Sequence, residues 1–328
     1  MKKLVSLLLA LVMMLSVAVI PALADDNMSV AIVVAGSLGD RSFYDSANEG
    51  LSKLVADFGV TPKVIECKED GSLFESSLVS AAETCDVVVA VGWQFYDALD
   101  SGLAIDFPEV QFIFIDNELS DRGDNLMSII YAQNEGSFLV GYIASKLTKT
   151  NKIGVVGGQD APTINDFIVG YEAGAKYGNA NVTVDKKYAE TYEDPSKGLE
   201  LAKALYDGGC DIVFAVAGKT GEGVFEAAAE TGNYAIGVDS DQKYINPDVI
   251  LCSMVKDVGL SIYTTISDLE ANYFGGTTWT ADMASGYIGV GYGDDTMTQQ
   301  VSDELKAEVE EIAQKIISGE IEVPTALN

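Results

Sequence analysis

One design occurs twice in this chain, and that repetition limits what it can fold into more than any other feature. Cys85-Asp-Val-Val-Val-Ala-Val-Gly92 returns as Cys210-Asp-Ile-Val-Phe-Ala-Val-Ala-Gly218, and Phe112-Ile-Phe-Ile-Asp116 returns as Ala235-Ile-Gly-Val-Asp239. Residues 29–36 match 152–158 in the same way. The offset is nearly constant, 125 residues from Cys85 to Cys210 and 123 from Asp116 to Asp239. In this register Phe43 falls against Phe167 and Gly50 against Gly174, both 124 residues apart.

Short β-branched runs at 30–34, 63–67, 87–91 and 111–115 alternate with helical stretches at 45–58, 73–82 and 95–105. Such alternation predicts a parallel sheet with helices on both faces. The expected class is therefore α/β, with two similar doubly wound, Rossmann-like domains joined by a multi-strand hinge. Residues 128–135 read as a crossover strand leading into a helix at 136–147, and 253–256 and 287–292 read as further crossings. The first lobe is then expected to hold 25–131 and about 257–288, and the second 132–256 and about 289–328. Several crossings make a hinge that can close around a ligand. The amphipathic stretch 302–318 reads as a last helix, its lobe left open.

Ligands of doubly wound folds sit beyond the carboxyl ends of the strands. The turn 36–44, after the first strand, places Asp40 and Phe43 at such a mouth. Read alone, Asp40 is equally a helix cap and Phe43 a core residue. Asp116 and Asp239 end matching strands, so both carboxylates should project into the crevice. A solvated strand-end aspartate is common, but a matched pair is harder to explain that way.

Composition removes several function classes. Lys2-Lys3, an apolar run at 4–20 and Ala22-Leu-Ala24 form an export signal over 1–24, with the mature chain expected from Asp25. No cysteine stands near position 24, so a soluble exported protein, periplasmic or at the cell surface, is expected without a lipid anchor. No other run is long enough to cross a bilayer. With 20 basic against 50 acidic residues, nucleic acid and anionic lipid are disfavoured as partners. The absence of histidine removes Ser/His/Asp and Cys/His catalysis and every histidine metal site. The four cysteines sit in or beside strand-like runs and read first as free buried thiols, with a Cys67–Cys85 bridge as the alternative. Gly218-Lys219-Thr220 lacks the earlier glycine of a phosphate loop, and 289–293 lacks the following helix of a dinucleotide fingerprint.

Gly-Asp-Arg-Ser-Phe at 39–43, Glu-Gly-Ser-Phe-Leu-Val-Gly at 135–141, Lys-Ile-Gly-Val-Val-Gly-Gly at 152–158, Ile-Gly-Val-Asp-Ser-Asp-Gln at 236–242 and Ser-Met-Val-Lys at 253–256 occur in this order. Together they resemble the basic membrane protein family, the purine-nucleoside-receptor-like members of the type I periplasmic binding proteins, over nearly all of the chain after the leader. The resemblance implies a non-catalytic solute-binding protein that needs no cofactor and feeds an ABC importer through its permease. A monomer that binds purine nucleosides or similar neutral solutes is expected.

Asp40 and Phe43 match the family's base-reading carboxylate and stacking ring, and Asp239 and Lys256 the pair that holds the ribose hydroxyls. Tyr192 stands where a second stacking Phe is usual. Trp93, Asp116 and Gly218 are placed at the site by strand position and the wider fold's pattern. In this reading Lys256 is also the counter-charge of Asp239. Tyr44, where an Asn is common, and Trp93 depart from the usual pattern and add aromatic surface. Two rival readings are a ligand-sensing subunit for a membrane receptor and a nucleoside-processing enzyme.

Overall fold

The computed structural model describes residues 27–273 and 275–327, so the expected leader and its cleavage point lie outside the described residues. From the amino end the chain runs β1 (Ser29–Val34), α1 (Phe43–Phe58), β2 (Thr61–Glu66), α2 (Phe74–Ala82), β3 (Val87–Val91), α3 (Tyr96–Asp100), α4 (Leu103–Asp106), β4 (Gln111–Ile115), β5 (Leu126–Tyr131) and α5 (Gln133–Leu147). It continues through β6 (Lys152–Gly157), α6 (Pro162–Gly178), β7 (Thr183–Tyr188), α7 (Pro195–Asp207), β8 (Ile212–Val216), α8 (Glu222–Thr231), β9 (Tyr234–Asp239) and β10 (Ile250–Lys256). The last elements are α9 (Val258–Ser267), α10 (Leu269–Asn272), β11 (Thr278–Ala281), β12 (Ile288–Gly291) and α11 (Asp303–Ile317).

Two six-stranded sheets result, ordered β11-β5-β4-β3-β1-β2 and β12-β10-β9-β8-β6-β7. The first is parallel throughout, and the second is parallel except for β12, which runs antiparallel to β10. The α/β class with two doubly wound domains is thus the fold observed, and the repeated sequence runs occupy equivalent strands. β3 and β8 are buried at every position, which explains why they read as continuous apolar runs rather than alternating ones.

The chain passes between the sheets after β5, after β10 and after β11. After β10, α9 returns to pack on α1, where a side chain at Gly50 would meet the Gly259 carbonyl at 2.3 Å. Its repeat partner Gly174 lets α6 approach α5 as closely, since a side chain there would collide with the Phe138 carbonyl. The last helix joins the second lobe, with Tyr142 Oη donating to Glu308 Oε2 at 2.7 Å.

Local readings needed three adjustments. The helix expected at 95–105 is broken into α3 and α4, because Gly102 takes the left-handed conformation at φ 96°. The stretch read as a crossing at 287–292 is mostly β12, an edge strand, and the passage between sheets precedes it. Strand β11, only four residues long, was not anticipated. All four cysteines are free and buried, so Cys67 and Cys85 form no bridge. Burial pushes the Cys210 and Cys252 thiols up to about 11 and about 12, which leaves both unreactive near neutrality.

Candidate functional site

The carboxyl ends of the two sheets face each other across a cavity. Asp40, Phe43, Trp93, Asp116, Tyr192, Gly218, Asp239 and Lys256 all lie on its wall, so the fold brings together every residue singled out from the sequence. The wall also includes Tyr44, Gln94, Ile164, Phe167, Val216, Ala217 and Val238. Of these, Tyr44 had a signal in the sequence as a departure from the family's pattern, and Phe167 in its register with Phe43. Gln94 had none beyond its adjacency to Trp93.

The first lobe builds its part from the turn before α1. The Asp40 carboxylate accepts from the backbone N–H groups of Ser42 at 3.0 Å, Tyr44 at 2.9 Å and Asp45 at 3.0 Å. It therefore does what a helix cap does, while also forming cavity wall. Asp45 holds the turn from the other side, accepting from Gly39 and Arg41 N–H groups at 2.8 Å each. Asp40 is 2% exposed, and burial raises its pKa from 3.8 to about 7 although the three N–H donors pull it down. Phe43 is half-buried and meets Tyr44 edge to face, with ring centroids 5.3 Å apart.

The matched strand-end aspartates share an uncommon backbone conformation, φ 77° at Asp116 and 63° at Asp239. Non-glycine residues held in this region carry strain that persists only where surrounding contacts impose it. Lys256, the last residue of β10 and 1% exposed, forms an ion pair with Asp116 from the opposite lobe. Its ammonium lies 4.8 Å from the Tyr131 ring centroid, 5.1 Å from Phe167 and 5.2 Å from Phe43. Three aromatic faces thus offset part of the hydration the buried charge has lost.

Asp239 has a different direct partner from the one expected. Its carboxylate accepts from Ser42 Oγ at 2.5 Å, across the cleft. Burial raises its pKa to about 6, while the nearby Lys256 charge opposes that rise. Lys256 is therefore a direct partner of Asp116 and only a neighbouring charge to Asp239. In the closed arrangement the end of β4 lies beside the end of β10, which puts Asp116 against Lys256.

Further hydrogen bonds tie the rims together. Glu69 accepts from Thr191 Oγ1 at 2.7 Å and from the Tyr192 N–H at 2.8 Å, and Glu193 accepts from the Ser37 N–H at 2.7 Å. Gln242 Nε2 donates to the Arg41 carbonyl at 3.0 Å. The lobes are closed on each other. The Tyr192 ring packs against Gly158, where a Cβ would collide with it, so a residue with any side chain would push the ring off this wall. Chemically the cavity offers aromatic surface, three carboxylates and one already paired ammonium, a set suited to an uncharged polar ring compound.

Residues 27–326 match the family described as ABC transporter substrate-binding protein, PnrA-like. Basic membrane protein A1 of Borrelia garinii subsp. bavariensis is 34% identical over 302 residues, covering 90% of this chain and 88% of that protein. Basic membrane protein A of Borreliella burgdorferi is 33% identical over 331 residues, covering 99% and 96%. A solute-binding protein of an ABC transporter system from Aeropyrum pernix K1 superposes with a TM-score of 0.81 at 27% identity, covering 90% of this chain and 94% of that one. Among the described residues no helix is long and apolar enough to cross a membrane. With a hinged two-lobed fold and a cavity between the lobes, the chain belongs to the basic membrane protein, PnrA-like family of ABC transporter substrate-binding proteins, an extracytoplasmic family that binds solutes for a permease partner rather than transforming them.

Proposed function

We propose that the chain captures a purine nucleoside, or a similar neutral nucleoside, in the interlobe cavity and delivers it to the ABC importer. The observation that carries this reading is the pairing of aromatic rings from both lobes, Phe43 and Tyr192, with a charged cluster in one cavity. A nucleobase is flat and polar-edged, so it gains from stacking, about 0.5–1.5 kcal/mol per aromatic pair beyond burial. Asp40 would read the base, and Asp239 with Lys256 the ribose hydroxyls. A carboxylate accepting from a hydroxyl contributes about 1.5–3 kcal/mol.

Phosphorylated nucleotides suit the site poorly. Asp40, Asp116 and Asp239 face one ammonium, Lys256, and that charge is already engaged. The test is a panel of nucleosides and ATP, read by melting temperature and small-angle scattering. A preferred nucleoside at about one hundred times its Kd should add about 2.7 kcal/mol of stability and compact the molecule, whereas ATP should do much less. Unchanged melting and scattering across the nucleosides would refute the ligand assignment while leaving the family intact.

A further inference from the structure

Each lobe has a loop after its second strand, and the two loops meet across the cleft. After β2, the Cys67 and Glu69 N–H groups donate to the Val34 and Ala35 carbonyls at 3.0 and 2.8 Å, and Lys68 between them is left-handed at φ 55°. After β7, the Ala189 and Thr191 N–H groups donate to the Gly157 and Gly158 carbonyls at 2.9 and 3.1 Å, and Glu190 between them is left-handed at φ 62°. Glu69 and Thr191 therefore hold equivalent places in the two lobes, and they are bonded to each other. Thr191 Oγ1 donates to Glu69 Oε2 at 2.7 Å, and the Tyr192 N–H donates to Glu69 Oε1 at 2.8 Å. Glu69 is itself left-handed at φ 59°, so two consecutive non-glycine residues carry backbone strain where this carboxylate is aimed across the cleft.

The first lobe grips Tyr192 at both ends. Its N–H donates to Glu69, and its hydroxyl is hydrogen-bonded by the Trp93 side chain. Its own lobe holds the carbonyl, which accepts from the Thr220 N–H at 3.0 Å. Glu69 lies outside the cavity wall, so it reaches the ligand only through Tyr192. We propose that Glu69 is a positioning residue, which fixes the Tyr192 backbone from the opposite lobe and completes the second stacking wall only when the lobes close. This deepens the nucleoside reading and rests on it. A stacked pair depends on ring separation and offset, so a ring on a loop gains from having its backbone fixed. Closure then orders the ring through protein contacts, and less of that ordering cost falls on the ligand.

A double-mutant cycle of Glu69→Ala and Tyr192→Ala, read by calorimetry with inosine, guanosine and adenosine, tests the proposal. Glu69→Ala should weaken the tightest of these about tenfold when Tyr192 is present and less than about twofold in Tyr192→Ala, where the backbone N–H remains but the ring does not. A carboxylate that only ties the lobes together would cause the same loss in both backgrounds. That result, or no loss in either, would overturn the proposal. Glu69→Gln should bind within about twofold of the wild type, since its amide oxygen accepts from the Tyr192 N–H and its amide N–H donates to Thr191 Oγ1. A loss as large as that of Glu69→Ala would overturn the proposal as well. If the wild type binds none of the three nucleosides, the nucleoside reading falls separately and Trp93 emission decides. With Trp279→Phe, Trp93 is the one tryptophan left of two, and it reports on the Tyr192 hydroxyl. In the protein as purified, an emission change in Glu69→Ala that is absent in Glu69→Gln supports the proposal. Identical emission, or the same change in both variants, overturns it.

Discussion

The strand-end carboxylates of both lobes, Asp116 and Asp239, find their partners across the cleft, whereas Asp40 in the turn before α1 is completed by its own lobe. In the first lobe, Asp40 is satisfied by its own turn, through three N–H groups within five residues of it. In the second, Asp239 has Ser42 of the other lobe as its short partner, and the charge that steadies it, Lys256, is held by Asp116 of the other lobe. One half of the site is built by local sequence and persists whenever α1 is formed. The other half is assembled only when the lobes meet. The strand repeat therefore carries over to the cross-lobe pairing of Asp116 and Asp239 and not to the Asp40 turn.

The largest effect should come from breaking the cross-lobe half. Lys256→Met leaves Asp116, whose side chain is 9% exposed, without its counter-charge in the closed cleft. Removing one partner of a buried pair costs about 3–5 kcal/mol, so ligand affinity should fall roughly a hundredfold or more. Calorimetry reads this directly, and a loss under about tenfold would show that closure does not depend on the pair.

Dependence on pH is a smaller effect and sharpens the contrast. Burial raises both carboxyls from 3.8, Asp40 to about 7 and Asp239 to about 6. A carboxyl with a raised pKa holds its proton in the buried state after the solvated state has lost it. The buried state is therefore favoured at low pH, and that advantage is lost as pH rises from about 4 to about 7 for Asp40 and to about 6 for Asp239. The limiting slope is about 1.4 kcal/mol per pH unit for one group. Because Asp40 is held by the N–H groups of its own turn, Asp40→Asn should flatten the decline in melting temperature of the unliganded protein over that range. Asp239→Asn should flatten only the pH dependence of closure, read by scattering. The same pH profile for both variants would erase the distinction between the halves.

Much of this organisation was legible in the chain. The repeat of 123 to 125 residues placed the strands in equivalent positions, and through them the strand-end aspartates and the Phe43–Phe167 match. Motifs with local causes read well, since the Asp40 turn needs only its neighbours. What remained hidden depended on distant geometry. Lys256 and Asp116 are 140 residues apart and Ser42 and Asp239 are 197 apart, so no periodicity links either pair. Gln94 sits in a short helical turn, Trp93–Phe95, where apolar spacing carries no signal. The four-residue β11 escaped notice because a short edge strand has too few positions to show alternation.

The central claim is that the second lobe's carboxylate holds the sugar while the first lobe's ring holds the base. Calorimetry of Asp239→Ala and Phe43→Ala, each with a preferred nucleoside and its free base, tests it most directly. Asp239→Ala should weaken the nucleoside by roughly 1.5–3 kcal/mol, about tenfold or more, and leave the base almost unchanged. Phe43→Ala should weaken both alike, by about 1–3 kcal/mol. Equal losses of base and nucleoside in Asp239→Ala would contradict the account, because that carboxylate would then not be reading the sugar.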